Sequence, residues 1–194
     1  MNGTKRAYEE TSQNDGKNES KKAARPSFKL RQLCVDEKRR TNDEVHSSIV
    51  LCPVTVAIMD TPQFQRLRGI KQMGTSEHVY MNCNHNRFEH SVGVSHLAEK
   101  MCRTIQERQP LLECTDKDVL CVKLAGLLHD VGHGPFSHLY EQFLCRVFPS
   151  YLKENPDIEA LRNKEYPDLK VDLENWCHEE ISLKMIDAIL EHIG

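Results

Sequence analysis

Apolar residues recur at the helical period through most of the chain beyond residue 60. Val94, Leu97, Ala98, Met101, Cys102 and Ile105 fall three or four residues apart, which predicts an amphipathic helix over residues 91–109. Thr115 with Asp118 three residues on is a capping-box pattern, and it predicts a second helix running to Leu128. Val119, Leu120, Val122, Leu124, Ala125, Leu127 and Leu128 make that helix apolar on most sides, so it is expected to be central and buried. Gly132 and Gly134 end the run. Pro135 is expected to open another helix, with Phe136, Leu139, Tyr140, Phe143, Leu144 and Val147 as its apolar positions. A polar stretch over 149–174 follows, then a last helix from about His178 with Ile181, Met185, Ala188, Ile189 and Ile193. Upstream, Thr61-Pro62 pairs an N-cap with a proline at the first helical position, and Phe64, Leu67 and Ile70 continue the face. Residues 74–86 are irregular, and the β-branched stretch 45–56 has room for a strand or two. The predicted class is all-α, without internal repeats.

Composition changes this picture at the front. Asn, Ser, Lys, Glu and Gly dominate the first residues and leave almost nothing to bury, so residues 1–38 are expected to form a disordered tail before a domain over 39–194. Residues 1–40 carry eleven Lys/Arg against six Asp/Glu, a net of +5 that leaves −8 for the remainder of a chain whose total is −3. A basic tail of this kind is a solvated segment in the plainest reading, and a handle for an anionic partner or a nuclear address in the other. No apolar run approaches the roughly 20 residues that span a bilayer, which excludes a membrane-spanning helix. Eight cysteines are scattered without a Cys-x-x-Cys pair. They predict a reducing compartment, nucleus or cytoplasm.

The candidate chemistry is concentrated between Arg87 and His138. Asp130 ends one of the most hydrophobic helices of the chain, and burying an ionised carboxylate costs several kcal/mol unless a cation or donors compensate. His129 lies beside it and His133 one turn on, while His90 at the start of the preceding helix is within reach of a shared site. Imidazole and carboxylate suit zinc, iron or manganese. A lone histidine is more often a surface or hydrogen-bonded residue, and His46, His78, His85, His96 and His192 are read that way. Asp130 alone would serve as a helix-end acceptor. The cluster His90, His129, Asp130, His133 and His138 is instead a poor recipe for a core and a good one for a metal pocket.

Longer words carry a family resemblance. Asp60-Thr-Pro-Gln-Phe-Gln-Arg-Leu-Arg68, Ile70-Lys-Gln72, His85-Asn-Arg-Phe-Glu-His-Ser91, Asp118-Val-Leu-Cys121 and His129-Asp-Val-Gly-His-Gly-Pro-Phe-Ser-His138 resemble the HD-domain deoxynucleoside triphosphate triphosphohydrolases over about residues 39–148, and more loosely over 177–193. The resemblance implies a helical metal-dependent phosphohydrolase fold, and hydrolysis of a dNTP to deoxynucleoside and triphosphate by metal-activated water. It implies His90, His129 and Asp130 as metal ligands, and His133, His138 and His178 as catalytic-pocket residues, with His178 a general acid to the leaving sugar oxygen. Arg87 would bind phosphate, and Gln72 and Met73 would read the deoxyribose, Met73 standing where the family usually has leucine. Arg39, Asp60, Gln65 and Arg68 would form an allosteric site for GTP or dGTP, although Asp60 and Arg68 also suit a plain cap or helix ion pair. Magnesium would accompany the nucleotide phosphates, and the complete family protein would be a homo-oligomer; single-stranded nucleic acid is a further candidate partner, suggested by the basic tail.

Three departures shape the expectation. Residues 1–38 are too short and polar for the SAM domain of vertebrate members, and the connection from His138 to His178 carries a charged insertion, over about 149–176. The family's fourth metal ligand, an aspartate on a later helix, has no counterpart here, so the chain is expected to be a partial HD domain with little activity of its own. The rival expectations are a fragment that binds nucleotide or nucleic acid without turnover, and an HD phosphodiesterase or nucleotidase of other specificity.

Overall fold

Asp43 makes the first turn. Its Oδ2 accepts the backbone N–H groups of Val45 (3.0 Å) and His46 (2.7 Å), and Ser47 follows at φ 60°. The turn joins β1 (Arg39–Asp43) to β2 (Ser47–Leu51), antiparallel and in register from Arg39 opposite Leu51 to Asp43 opposite Ser47. Ile49 and Leu51 are buried while Ser48 and Val50 face outward, the two-residue alternation of a strand with one covered side. The computed structural model describes residues 39–165 and 176–194. The expected tail over 1–38 and the later part of the expected insertion lie outside the described residues.

The β-branched stretch yields β2 but then turns helical, a helix the sequence pattern did not reveal. Pro53 at the first position opens α1 (Pro53–Met59), and Val54 and Ile58 bury its inner face. Thr61 caps the short α2 (Pro62–Gln65) as expected, its hydroxyl accepting from the Phe64 N–H. Residues 74–86 are irregular, as the pattern implied, with a single short 3-10 turn at Ser76–His78.

Two long helices form the frame. α3 (Arg87–Arg108) begins four residues earlier than the apolar period suggested, because Asn86 builds a capping box with Glu89. α4 (Asp116–Leu128) starts at the predicted Thr115–Asp118 box. Paired contacts show that the two run antiparallel: Arg103 meets Asp116, Glu99 meets Lys123, and Ser95 donates to the Lys123 carbonyl. Gly126 permits the close approach, since a Cβ there would stand 3.3 Å from Ser95 Cα and Ala98 Cβ. α4 is not buried all round. Val119, Lys123, Leu127 and Leu128 are covered, whereas Cys121 is exposed and Val122 is 43% exposed, because α3 covers one face and no other helix covers the opposite one among the described residues.

The helix expected from Pro135 starts at His138 instead. Phe136 and Ser137 have φ of 61° and 57°, outside the helical region, so the chain makes a sharp corner before α5 (His138–Gln142). A π-helical turn over Phe143–Val147 leads to α6 (Phe148–Glu154), and Pro156 opens α7 (Pro156–Glu165). The polar stretch is therefore helical as far as Glu165, apart from the break at Asn155. α8 (His178–Ile193) lies against α1 and α2. The core runs through Ile49, Phe64, Leu67, Phe88, Leu127, Val131 and Ile189.

Candidate metal centre

An antiparallel hairpin brings the start of α3 beside the end of α4, and this juxtaposition builds the centre. His90 sits in the first turn of α3, and His129 and Asp130 follow the last turn of α4. Asp130 Oδ2 lies 3.3 Å from His90 Nε2 and 3.2 Å from His129 Nε2. Ligands bonded at about 2.1 Å around a tetrahedral ion stand roughly 3.4 Å from one another. The three ligand atoms, all within 4.8 Å of each other, therefore fit a single transition metal. His129 Nδ1 faces the Gly126 carbonyl at 2.8 Å, which assigns the proton to Nδ1 and leaves the Nε2 lone pair for a ligand, the usual outer-shell arrangement of a metal-binding imidazole.

Asp130 is the hub of the charge distribution. Its side chain is 5% exposed, and Arg87 Nη1 reaches Oδ2 at 2.5 Å. Burial pushes its carboxyl upward, but contacts from His129, His133 and His90 outweigh that and hold it far below the usual carboxylate range. The same Asp130 contact raises His129, against the opposing effect of burial. Arg87 is itself fully buried: Nε donates to Ser137 Oγ at 2.9 Å, and Nη2 has no protein partner. Ser137 in turn donates to the Lys71 carbonyl at 2.6 Å.

A second group of histidines occupies the other side of Asp130. His133 Nε2 is 3.3 Å from Oδ1, and the His133 ring stacks on His178 with centroids 3.7 Å apart. His138 stands edge-on to both. Burial first, then the proximity of Arg87 and His178, push His133 below the ordinary histidine value, although Asp130 opposes them. Glu141 Oε2 lies 3.2 Å from His138 Nδ1 and 3.4 Å from His178 Nδ1. Burial raises the Glu141 carboxyl, and the two histidines more than reverse it. Gly132 sets His178 in place. A Cβ there would lie 2.3 Å from the Ser182 nitrogen and 2.4 Å from the His178 oxygen, so α8 approaches bare backbone. Ser182 Oγ accepts from the Gly132 N–H and donates to the His129 carbonyl, both at 2.9 Å.

This spatial pattern agrees with what the sequence comparisons find. A profile of the HD domain matches residues 87–192, more than half of the chain. The chain belongs to the HD-domain family. It is 50% identical over 176 residues to the deoxynucleoside triphosphate triphosphohydrolase SAMHD1 of Gallus gallus, covering 87% of this chain and 25% of that protein. The Homo sapiens protein of the same name is 50% identical over 166 residues, covering 86% and 23%. The deoxynucleoside triphosphate triphosphohydrolase SAMHD1 homolog of Dictyostelium discoideum is 37% identical over 153 residues, covering 79% and 25%. The chain thus spans about a quarter of the length of these curated relatives.

The remaining predicted residues lie ahead of the matched segment, in two places. Gln72 and Met73 adjoin the corner that carries His138, since a Cβ on the next residue, Gly74, would stand 3.1 Å from the Phe136 carbonyl oxygen and 3.2 Å from Leu139 Cδ1. Gln72 Oε1 is buried without a partner, and Met73 is half-exposed. Arg39 pairs with Asp60 across 3.8 Å, and Gln65 Oε1 accepts from Arg68 Nε at 2.8 Å. The Arg68 guanidinium lies over the Phe88 ring, 3.6 Å from its centroid. Thr41, Asn42, Met59, Arg68, Phe88 and Glu89 are among the residues lining a cavity of about 240 Å³ there.

Three residues of the site escaped sequence reasoning. Ser137 holds Arg87 from a strained backbone, and nothing in its type or spacing marks it. Arg66 donates to the carbonyls of Val131 and His133, clamping the corner between the two histidine groups. Glu141, three residues after His138 on α5, had a signal: the helical i, i+3 spacing.

Proposed function

We propose that this HD domain carries the metal centre of a deoxynucleoside triphosphate triphosphohydrolase, cleaving a dNTP into deoxynucleoside and triphosphate. The observation that carries the reading is the pair of histidine groups meeting on Asp130, one suited to holding a transition metal and the other to handling a proton. Zinc, iron or manganese held by His90, His129 and Asp130 would supply Lewis-acid polarisation of the phosphate and a water of lowered pKa. Buried Arg87 balances the Asp130 carboxylate, and its unpartnered Nη2 is the group available to a phosphate oxygen. Glu141 holds His138 through Nδ1, and the carboxylates of Glu141 and Glu179 both lie beside His178 Nδ1, which leaves Nε2 of each ring to reach a leaving oxygen. His178 then protonates the sugar oxygen while His133, kept neutral by burial, fixes its ring plane. Gln72 and Met73 read the sugar. Arg39, Asp60, Gln65 and Arg68 bind GTP or dGTP as activator, the stacked Arg68 suiting a guanine base or its phosphates. Magnesium accompanies the phosphates, a homo-oligomer is the assembled form, single-stranded nucleic acid is a partner of the basic tail, and the protein works in the nucleus or cytoplasm.

The test is product analysis. Because the chain alone is expected to show little activity, the assay uses a form extended to the length of its relatives, supplied with manganese or iron(II), magnesium and dGTP, with and without GTP. Deoxyguanosine and triphosphate are expected, at a rate raised by GTP in the wild type but not in Arg68→Ala. Release of pyrophosphate or orthophosphate would reassign the reaction, and metal binding without any turnover would reduce the chain to a nucleotide-binding module.

A further inference from the structure

A second chemical feature lies at the opposite end of the α3–α4 hairpin. Cys102, on α3, and Cys114, just before the Thr115 cap of α4, have their sulfurs 3.6 Å apart in a thiol–thiol hydrogen bond. Both are half-buried. The connecting segment is pinned on either side of the pair: Gln106 Nε2 donates to the Cys114 carbonyl at 3.0 Å, and Arg103 pairs with Asp116 at 3.2 Å. A disulfide bond is about 2.05 Å long, so the sulfurs need to close by roughly 1.6 Å, a rotation about the side-chain bonds. Of the other described thiols, Cys52 contacts Thr55, Cys145 contacts the Trp176 carbonyl, Cys121 is exposed, and Cys83 and Cys177 are half-buried.

We infer that Cys102 and Cys114 are a modification site, a dithiol that a small-molecule disulfide such as oxidised glutathione converts to an intramolecular disulfide. One cysteine thiolate attacks a glutathione sulfur, forming a mixed disulfide and releasing one glutathione thiolate, which takes up a proton. The second cysteine loses its proton and attacks the protein sulfur of that mixed disulfide. The Cys102–Cys114 bond forms and the second glutathione leaves as a thiol. Two protein thiols are oxidised and one small disulfide is reduced to two thiols. The hydrogen bond from Cys102, then burial and the charges of Cys102, Asp118 and Asp116, raise the Cys114 thiol, which favours its protonated form over the thiolate.

The location gives the bond a consequence. Twelve residues of helix separate Cys102 from His90, roughly 18 Å at 1.5 Å per residue. The disulfide would therefore staple the far end of the same two helices that bring His90 to His129 and Asp130, without touching a ligand. It closes a short loop and limits the unfolded chain, which stabilises the hairpin.

The experiment uses the reduced full chain, treated with oxidised glutathione, digested without reduction and mapped by mass spectrometry. One linked peptide pair joining Cys102 to Cys114 is expected, with two hydrogens lost and no glutathione retained on either residue. The oxidised chain should melt several degrees above the reduced chain, and Cys102→Ser should lose that gain while retaining a glutathione on Cys114. Glutathione persisting on Cys114 of the wild type, a link from either residue to Cys121, or the same pairing formed equally in denaturant would each overturn the assignment. None of these readouts depends on nucleotide hydrolysis, so the assignment stands or falls separately from the proposed activity.

Discussion

On the Oδ2 side of Asp130, His90 and His129 keep 31% and 39% of their side chains in solvent, whereas on the Oδ1 side His133 keeps none. The exposed pair points bare ring nitrogens at a shared oxygen and can admit an ion from outside. The buried side is held by stacking on His178 and by the close docking of α8 on Gly132. One carboxylate thus separates a face that receives a ligand from a face that is already packed. The difference teaches that the two groups depend on different parts of the fold. The first needs only the α3–α4 hairpin. The second also needs the corner at Phe136–Ser137, helix α5 and helix α8.

The largest effect is expected where the two faces meet. Asp130→Ala removes one metal ligand and leaves Arg87 buried without its partner, a loss of about 3–5 kcal/mol for a broken buried pair. Total stability is about 5–15 kcal/mol for a typical domain. Elemental analysis and a denaturant titration should show metal lost and the midpoint sharply lowered. Retention of metal at wild-type stoichiometry would break the assignment of Asp130 as a ligand.

Single-histidine substitutions separate the faces. His129→Ala should empty the metal centre with little change in melting, since its ring is partly in solvent. His178→Ala should keep the metal and lower turnover by about 10²–10⁴, the usual contribution of a general acid. Metal content and single-turnover product release measure the two. Metal lost from His178→Ala, or kept by His129→Ala, would merge the groups into one.

Gly132→Ala tests the packed face alone. Its Cβ would meet backbone atoms of α8 at 2.3 and 2.4 Å, so the helix must move. Overpacking of this kind costs about 1–3 kcal/mol, occasionally more. The displaced helix carries His178 away from His133. The expected result is a lowered melting temperature and lost turnover with metal still bound.

The two faces also differ in how far they could be read from sequence. His90, His129 and Asp130 announce themselves, because a carboxylate at the end of an apolar helix needs compensation and histidines are the compensation at hand. The capping box at Thr115 is a local signal, and α4 begins where that signal says. The other face depends on non-local facts. Phe136 and Ser137 adopt left-handed backbone after a proline that otherwise reads as a helix start, and the Ser137 bonds to Arg87 and Lys71 hold that corner. Helix α1 went unseen because its seven residues are too short for an apolar period, and the β-branched residues before it read as strand. The exposed face of α4 contradicts its composition, since an apolar surface says that a residue suits burial and not that a neighbour covers it.

The smallest predicted effect compares two caps that look alike in sequence. Asn86 and Thr115 each accept from the N–H of the residue three positions on, and each donates its own backbone N–H to that residue's carboxylate in return. Asn86→Ala and Thr115→Ala should each cost about 1 kcal/mol, the usual worth of such a cap. Their consequences for the metal should differ. Asn86 fixes the first turn of α3, which carries both Arg87 and His90, so fraying there moves a ligand and the partner of Asp130. Thr115 opens α4 at the end remote from His129. Metal affinity, measured by competition with a chelating dye, should fall in Asn86→Ala and hold in Thr115→Ala. Acid separates them further. Side-chain and backbone bonds from Thr115 hold the Asp118 carboxyl below its ordinary value. A depressed carboxylate contributes stability that is complete above its unfolded pKa, about 3.9, and is lost as the pH falls through the lower folded value. The wild type should therefore lose the benefit of its Thr115 box in that acidic window, where the stability gap to Thr115→Ala narrows. Equal loss of metal affinity in both variants would mean that the centre senses the whole helix hairpin rather than the first turn of α3.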